Sequence, residues 1–143
     1  MTALPAHLQS HIDAGRTLLV IAGGRAWFAE PSAMFGAAGP FQAAYVDIPR
    51  LWAKLCQLAE GREHFTREEI ALIGGVTAQT VETWKNRRAV VPSLQDKPAK
   101  YSMADGLAAG MFGTLRRNGM PWNLATNVAR ALASGEKMEA VGR

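Results

Sequence analysis

The most informative part of the chain is residues 65–88, FTREEIALIGGVTAQTVETWKNRR. Residues 66–69 (TREE) have the sequence of a capping box, in which a threonine caps a helix and a glutamate three residues later bonds back to the threonine amide. The helix that this box opens reaches the glycine pair at 74–75, and Thr77 then caps a second helix that we predict to run to about Arg88. Two short helices joined by a glycine-containing turn are typical of a helix-turn-helix.

The second of these helices has one apolar face and one polar face. We expect Val81 and Trp84 to point inward. Side chains that can bond to base edges fall on another stripe at helical spacing, and basic side chains suited to phosphate stand at the helix end. The predicted DNA contacts on and before this helix are Thr77, Gln79, Thr80, Thr83, Lys85, Asn86, Arg87 and Arg88. The competing interpretation is a solvated helix surface whose basic end suits the helix dipole.

A β-wing is predicted directly after the second helix. Residues 89–92 (AVVP) are expected to form a strand, residues 93–98 a polar turn, and residues 99–102 (AKYS) a returning strand. Lys97 and Lys100 would then meet the phosphate backbone. The remaining sequence predicts a capped helix from Ser102 to about residue 119, followed by a last helix from near Pro121 to Ser134. The apolar positions expected to be buried on these two helices are Leu107, Met111, Leu115, Leu124, Val128 and Leu132.

The first sixty residues predict a small α/β module. Residues 2–14 suit a short amphipathic helix, and two β-prone runs at 17–22 and 25–29 flank a glycine pair, which favours a hairpin. A loop at 30–40, a short strand at 45–47 and a helix that enters through Pro49 and stops at Gly61 complete the module. Such a module could serve in dimerisation, form a ligand pocket or complete the core. The fold class is therefore mainly α with small β elements (α+β), divided into an N-terminal module at 1–61 and a winged helix-turn-helix at 62–143.

Composition narrows the class of protein. A hydrophobic fraction of 48% and a charged fraction of 20% are those of a folded globular chain. The net charge of +4 is unevenly placed, because residues 61–118 hold nine basic and six acidic side chains while residues 1–60 are neutral. No apolar run is long enough to cross a membrane and no signal pattern begins the chain, so we expect a cytoplasmic protein. His7 and His11 lack further ligands nearby and Cys56 reads as a core residue, so no metal or other cofactor is expected.

A resemblance to a known family follows from residues 65–130. The quoted run, together with "VVP", "KYSMAD" and "LRRNGMPW", resembles the winged helix-turn-helix of the MerR-type superfamily, which includes excisionase-like proteins. The resemblance implies a DNA-binding fold and places Tyr101 where the wing enters the next helix, among the DNA contacts. Glu82 stands where family members commonly carry an arginine, and Ala99 replaces an arginine of the wing. The long dimerisation helix and the sensor part of the effector-regulated members have no counterpart in this sequence.

The leading functional hypothesis is a sequence-specific regulator of transcription that binds double-stranded DNA and associates with the nucleoid. One such module touches few base pairs, so we expect a homodimer or a protein partner, contacted through residues 1–61. Two alternatives stay open. One is an architectural DNA-binding factor for recombination or phage DNA packaging, and the other is an interaction adaptor that has lost DNA binding, suggested by Glu82 and Ala99. The sequence contains no nucleophile motif, phosphate loop or metal cluster, and we therefore expect no enzyme.

Overall fold

Within the described residues, the N-terminal half contains two helices and a three-stranded antiparallel sheet. The structure is a computed structural model that describes residues 4–22, 25–32, 44–94 and 98–134. The elements of this half are α1 (Ala6–Asp13), β1 (Leu18–Ala22), β2 (Arg25–Ala29), β3 (Ala44–Asp47) and α2 (Ile48–Ala59). The central strand β1 pairs with β2 on one side and with β3 on the other, in the order β2-β1-β3. The predicted hairpin and third strand are confirmed, whereas the glycine pair and most of the predicted loop at 30–40 lie outside the described residues.

The C-terminal half consists of four helices and a two-stranded ladder within the described residues. Its elements are β4 (His64–Phe65), α3 (Arg67–Gly74), α4 (Ala78–Asn86), β5 (Tyr101–Ser102), α5 (Met103–Arg117) and α6 (Trp122–Ser134). Strands β4 and β5 are antiparallel, with Phe65 opposite Tyr101. The expected class, mainly helical with small antiparallel β elements, is confirmed.

Local capping determines where most helices begin. The Thr66 and Ser102 side chains each accept a hydrogen bond from the backbone amide three residues on. The carboxylates of Glu69 and Asp105 in turn accept from the amides of Thr66 and Ser102, so both predicted capping boxes are present. Thr77 caps α4 by accepting from the Thr80 amide. Helix α4 ends at Asn86, two residues before the predicted end.

The predicted strand at 89–92 is not formed, which corrects the description of the wing. Ala89 and Val90 are buried in the core, and Pro92 has no amide proton for a ladder. The Ser93 amide donates instead to the Asp105 carboxylate at 2.9 Å. What remains of the wing among the described residues is a single antiparallel bridge between Leu94 and Lys100, and the returning strand pairs with β4 rather than with residues 89–92.

The hydrophobic core crosses the predicted domain boundary at residue 61. One cluster of buried side chains includes Leu19 and Leu55 from the first half and Trp84 and Phe112 from the second. Helix α2 lies so close to α5 that a Cβ on Gly106 would stand 3.1 Å from the Leu55 side chain. The division into two domains stays a prediction, but the two halves share their core.

Candidate nucleic-acid interface

The helix-turn-helix is held together by the inner face of α4. Val81 is fully buried and Trp84 is buried at 3% exposure, as the sequence predicts. A Cβ on Gly74 would stand 2.8 Å from the Trp84 ring, so glycine permits the end of α3 to approach α4 closely. Gly75 ends α3 with a φ of 69°, in the left-handed region that glycine adopts without strain. Because this inner face is anchored, the outer face of α4 is presented in a fixed orientation.

Three uncharged polar side chains form the exposed stripe of α4. Gln79, Thr83 and Asn86 are all exposed, at a spacing of four and three residues that places them along one face. Thr77 and Thr80 are engaged with each other instead, with their Oγ1 atoms 3.0 Å apart at the helix start. Of the predicted base contacts on the helix, the structure therefore brings three together and assigns two threonines to the cap.

One flank of this stripe is a small network of ion pairs. Glu82 contacts Arg67 of α3 at 3.2 Å and Lys85 of its own helix at 3.6 Å. The carboxylate at this position thus links α3 to α4 and neutralises part of the charge of Lys85, which was predicted as a phosphate contact. Its two cationic partners explain how a carboxylate is accommodated beside a face predicted to bind a polyanion.

The other flank is occupied by Arg87. Its guanidinium carbon lies 3.7 Å from the centroid of the Trp122 ring, and that of Arg116 lies 5.7 Å from the same centroid. The ring of Trp122 packs edge-on against that of Phe112, with the two centroids 5.0 Å apart. The rings of Phe112 and Trp84 pack in the same way, also with centroids 5.0 Å apart. A chain of aromatic rings therefore connects the buried side of α4 with the side chain that receives Arg87.

A group of arginines continues from this flank onto α5 and α6. Each of three of them donates to a backbone carbonyl: Arg116 to Met120, Arg117 to Gly74, and Arg130 to Arg88. Among the described residues none of the group forms an ion pair with a carboxylate. We call Arg87, Arg88, Arg116, Arg117 and Arg130 the arginine cluster. Sequence reasoning missed its last three members, although the Arg116-Arg117 pair ahead of a glycine was visible as a basic helix end.

The wing contributes less than the sequence predicts. Lys100 is exposed beside the Leu94 bridge, and Lys97 lies outside the described residues. Tyr101, which is paired with Phe65 in the ladder, is buried at 1% exposure, so its side chain does not lie at the surface where the predicted contact with DNA would need it. Burial raises the pKa of the Tyr101 phenol to about 12, with the Glu82 and Asp105 carboxylates adding to the effect. Its hydroxyl has no hydrogen-bond partner among the described residues.

The two N-terminal histidines take part in structural contacts. The His7 ring nitrogen lies 2.7 Å from the Leu132 carbonyl, while His11 accepts from Arg16 and stacks on Phe28 at 3.9 Å. In the described ranges no group of three His, Cys, Asp or Glu side chains is arranged to hold a metal ion. Nor does any helix there combine the length and the apolar character needed to cross a membrane.

Comparisons of the chain with models of protein families, with curated proteins and with solved structures each found no match. The resemblance to the MerR-type superfamily accordingly stays a prediction that depends on the residues quoted for it.

Proposed function

We propose that the protein is a regulator of transcription that binds double-stranded DNA by laying α4 in the major groove. The observation that carries the proposal is the exposed stripe of Gln79, Thr83 and Asn86 on a helix whose opposite face is buried. Amide and hydroxyl groups of this kind bond to base edges, and a rigid helix holds them at the spacing of successive base pairs.

The arginine cluster supports the proposal through charge. A surface of arginines that have no carboxylate partners in the described part of the chain attracts a polyanion, and each phosphate contact releases counterions from the duplex. Lys100 adds a positive charge at the wing. Binding by such a surface should weaken steeply as the salt concentration rises.

A second copy of the chain is the partner that we propose for the N-terminal half. One helix-turn-helix contacts too few base pairs for useful selectivity, and paired half-sites provide the rest. Trp27 and Tyr45 lie opposite Val20, one on each side of it; Val20 is buried at 2% exposure, whereas Trp27 and Tyr45 remain 43% and 56% exposed. Such a dimer would act on cytoplasmic, nucleoid-associated DNA. Sedimentation of the wild type and of a Trp27→Ser/Tyr45→Ser variant tests the dimer, and a wild-type monomer at binding concentrations contradicts it.

The test of DNA binding is fluorescence anisotropy with a duplex selected by the wild-type protein from a randomised pool, against a scrambled duplex. Each well-placed base contact contributes about 1–3 kcal/mol of discrimination, equivalent to about 5- to 150-fold in affinity. We expect the Gln79→Ala/Thr83→Ala/Asn86→Ala variant to lose preference for the selected duplex.

The matched control is Gln57→Ala, because Gln57 is an exposed glutamine on α2, away from the stripe. It should bind as the wild type does. Equal affinity of the wild type for both duplexes, or unchanged preference in the triple variant, contradicts reading by α4. Two observations would favour the architectural alternative. One is strong bending of the bound duplex in a gel-phasing assay, and the other is clustering of the bound sites at attachment sequences rather than at promoters.

A further inference from the structure

We propose that the reading face of α4 selects A·T over G·C base pairs. The inference rests on the proposed function and specifies its substrate class. It depends on which side chains of α4 face outward and on which are held away from the exposed stripe by other contacts.

The stripe itself carries the chemistry of adenine recognition. Glutamine and asparagine each bond in bidentate fashion to N6 and N7 of adenine, and Gln79 and Asn86 are both exposed with no side-chain partner among the described residues. The Thr83 hydroxyl already donates to the Gln79 carbonyl at 3.3 Å. Its methyl group stays available, and a threonine methyl packs on the methyl group of thymine.

The side chain best suited to guanine is held away from the stripe. An arginine bonds in bidentate fashion to O6 and N7 of guanine, and from the sequence Arg87 has the spacing for such a contact. At 100° per residue, however, Arg87 falls about a quarter-turn from Gln79 and Asn86, although only about 40° from Thr83, on the flank that faces α6. Its stack on Trp122 at 3.7 Å keeps the guanidinium on that flank, where it meets the DNA backbone.

The other cations near α4 are also off the stripe. Lys85 and Arg67 are paired with Glu82 on the wing side. Arg88 follows the helix in a left-handed turn with a φ of 60°, and its carbonyl accepts from Arg130. Gln79, Thr83 and Asn86 are therefore the described side chains of α4 that point at base edges, and none of them is a guanine reader.

The experiment is selection of duplexes from a randomised pool by the full chain, repeated with single variants of the stripe and of the cluster. The wild type should enrich a core of A·T pairs. Gln79→Ala and Asn86→Ala should each relax one position of that core. Arg87→Ala and Arg88→Ala should return the same core, with affinity reduced equally on selected and scrambled duplexes and the slope of log K against log salt smaller by about one per variant.

Controls separate a local effect from a loss of charge or of fold. Arg50→Ala removes an exposed arginine on α2 and should leave both the core and the salt slope unchanged. Arg87→Lys keeps the charge but loses the flat guanidinium, and it should retain the wild-type core as well. Circular dichroism melts check that every variant is folded.

The possible failures are distinguishable. A selected core of G·C pairs whose guanine preference disappears in Arg87→Ala or Arg88→Ala overturns the inference and leaves the proposed function intact. Recovery of no enriched sequence by the wild type overturns both, because selective reading would then be absent.

Discussion

Replacing Gly113 by alanine should destabilise the protein, because α5 crosses α3 there in backbone contact. A Cβ on Gly113 would overlap the carbonyl oxygen of Gly74, well inside the 3.0 Å that Cβ atoms in proteins keep from other atoms. The same oxygen accepts a hydrogen bond from Arg117 at 2.6 Å. The obstacle is main chain at the end of a helix, so relief requires α3 and α5 to move apart.

The size of the effect follows from three contributions. Overpacking of this kind costs about 1–3 kcal/mol. Weakening the bond from the charged Arg117 adds about 1.5 kcal/mol, and the better helix propensity of alanine returns about 1 kcal/mol. The net expectation is a loss of about 1.5–3.5 kcal/mol in the free energy of unfolding, or roughly 5–12 °C in Tm for a chain of this length.

Gly110→Ala is the matched control, since it makes the same substitution in the same helix. There the added Cβ would meet the end of the Leu51 side chain at 2.8 Å, and Leu51 is half-buried and can rotate. We expect its stability to stay within about 1 kcal/mol of the wild type. Urea unfolding followed by tryptophan fluorescence measures both variants. If Gly113→Ala proves as stable as Gly110→Ala, the close crossing of α3 and α5 is wrong.

Three further predictions concern buried or paired groups. Tyr101→Phe removes a buried hydroxyl without a partner among the described residues, so thermal unfolding should show unchanged stability or a gain of about 1 kcal/mol; a clear loss would reveal a bond to the hydroxyl. In a Tyr45→Phe background Tyr101 is the remaining phenol, and absorbance should show it titrating near pH 12. Because the pKa of tyrosine in the unfolded chain is near 10, the stabilising contribution of Tyr101 is complete below pH 10 and is lost as the pH rises through 12. Titration near pH 10 would contradict its burial. Hydrogen bonding to Arg62 lowers the pKa of Glu69 from 4.5, so the contribution of Glu69 to stability is present above that pH and is lost as the pH falls below it. Glu69→Gln should keep the cap but reduce the loss of stability at acid pH, measured by urea unfolding at a series of pH values. An unchanged loss at acid pH would refute the pairing.

Sequence reasoning succeeded where the interactions are local. The capping boxes at Thr66 and Ser102 involve residues three apart, and the inward positions Val81 and Trp84 lie within one turn of α4, so spacing alone identifies them. The strands that flank the glycine pair are likewise neighbours along the chain. Each of these features can be derived without knowing the rest of the fold.

The errors occurred where distant segments meet. Lys100 and Tyr101 alternate as a strand should, with one exposed and one buried, but which of them faces the core depends on the register with Phe65. The position of Arg87 depends on Trp122, which is brought to it only by the packing of α6 on α5. From spacing within α4, Arg87 could serve as a base contact or as a phosphate contact, and only the tertiary fold provides the ring on which it stacks.

The ladder between β4 and β5 has a consequence for how the chain can be rearranged. Phe65 and Tyr101 are neighbours in space, so the segment between them begins and ends at almost the same point of the fold. We therefore expect this segment to be exchangeable as a unit if the side chains that pack on α5 are kept, Ile73 and Trp84 among them. A segment with a different outer stripe but the same inner residues could be inserted after Phe65 and closed before Tyr101. The selectivity for DNA sequence could then change while the rest of the fold stays the same.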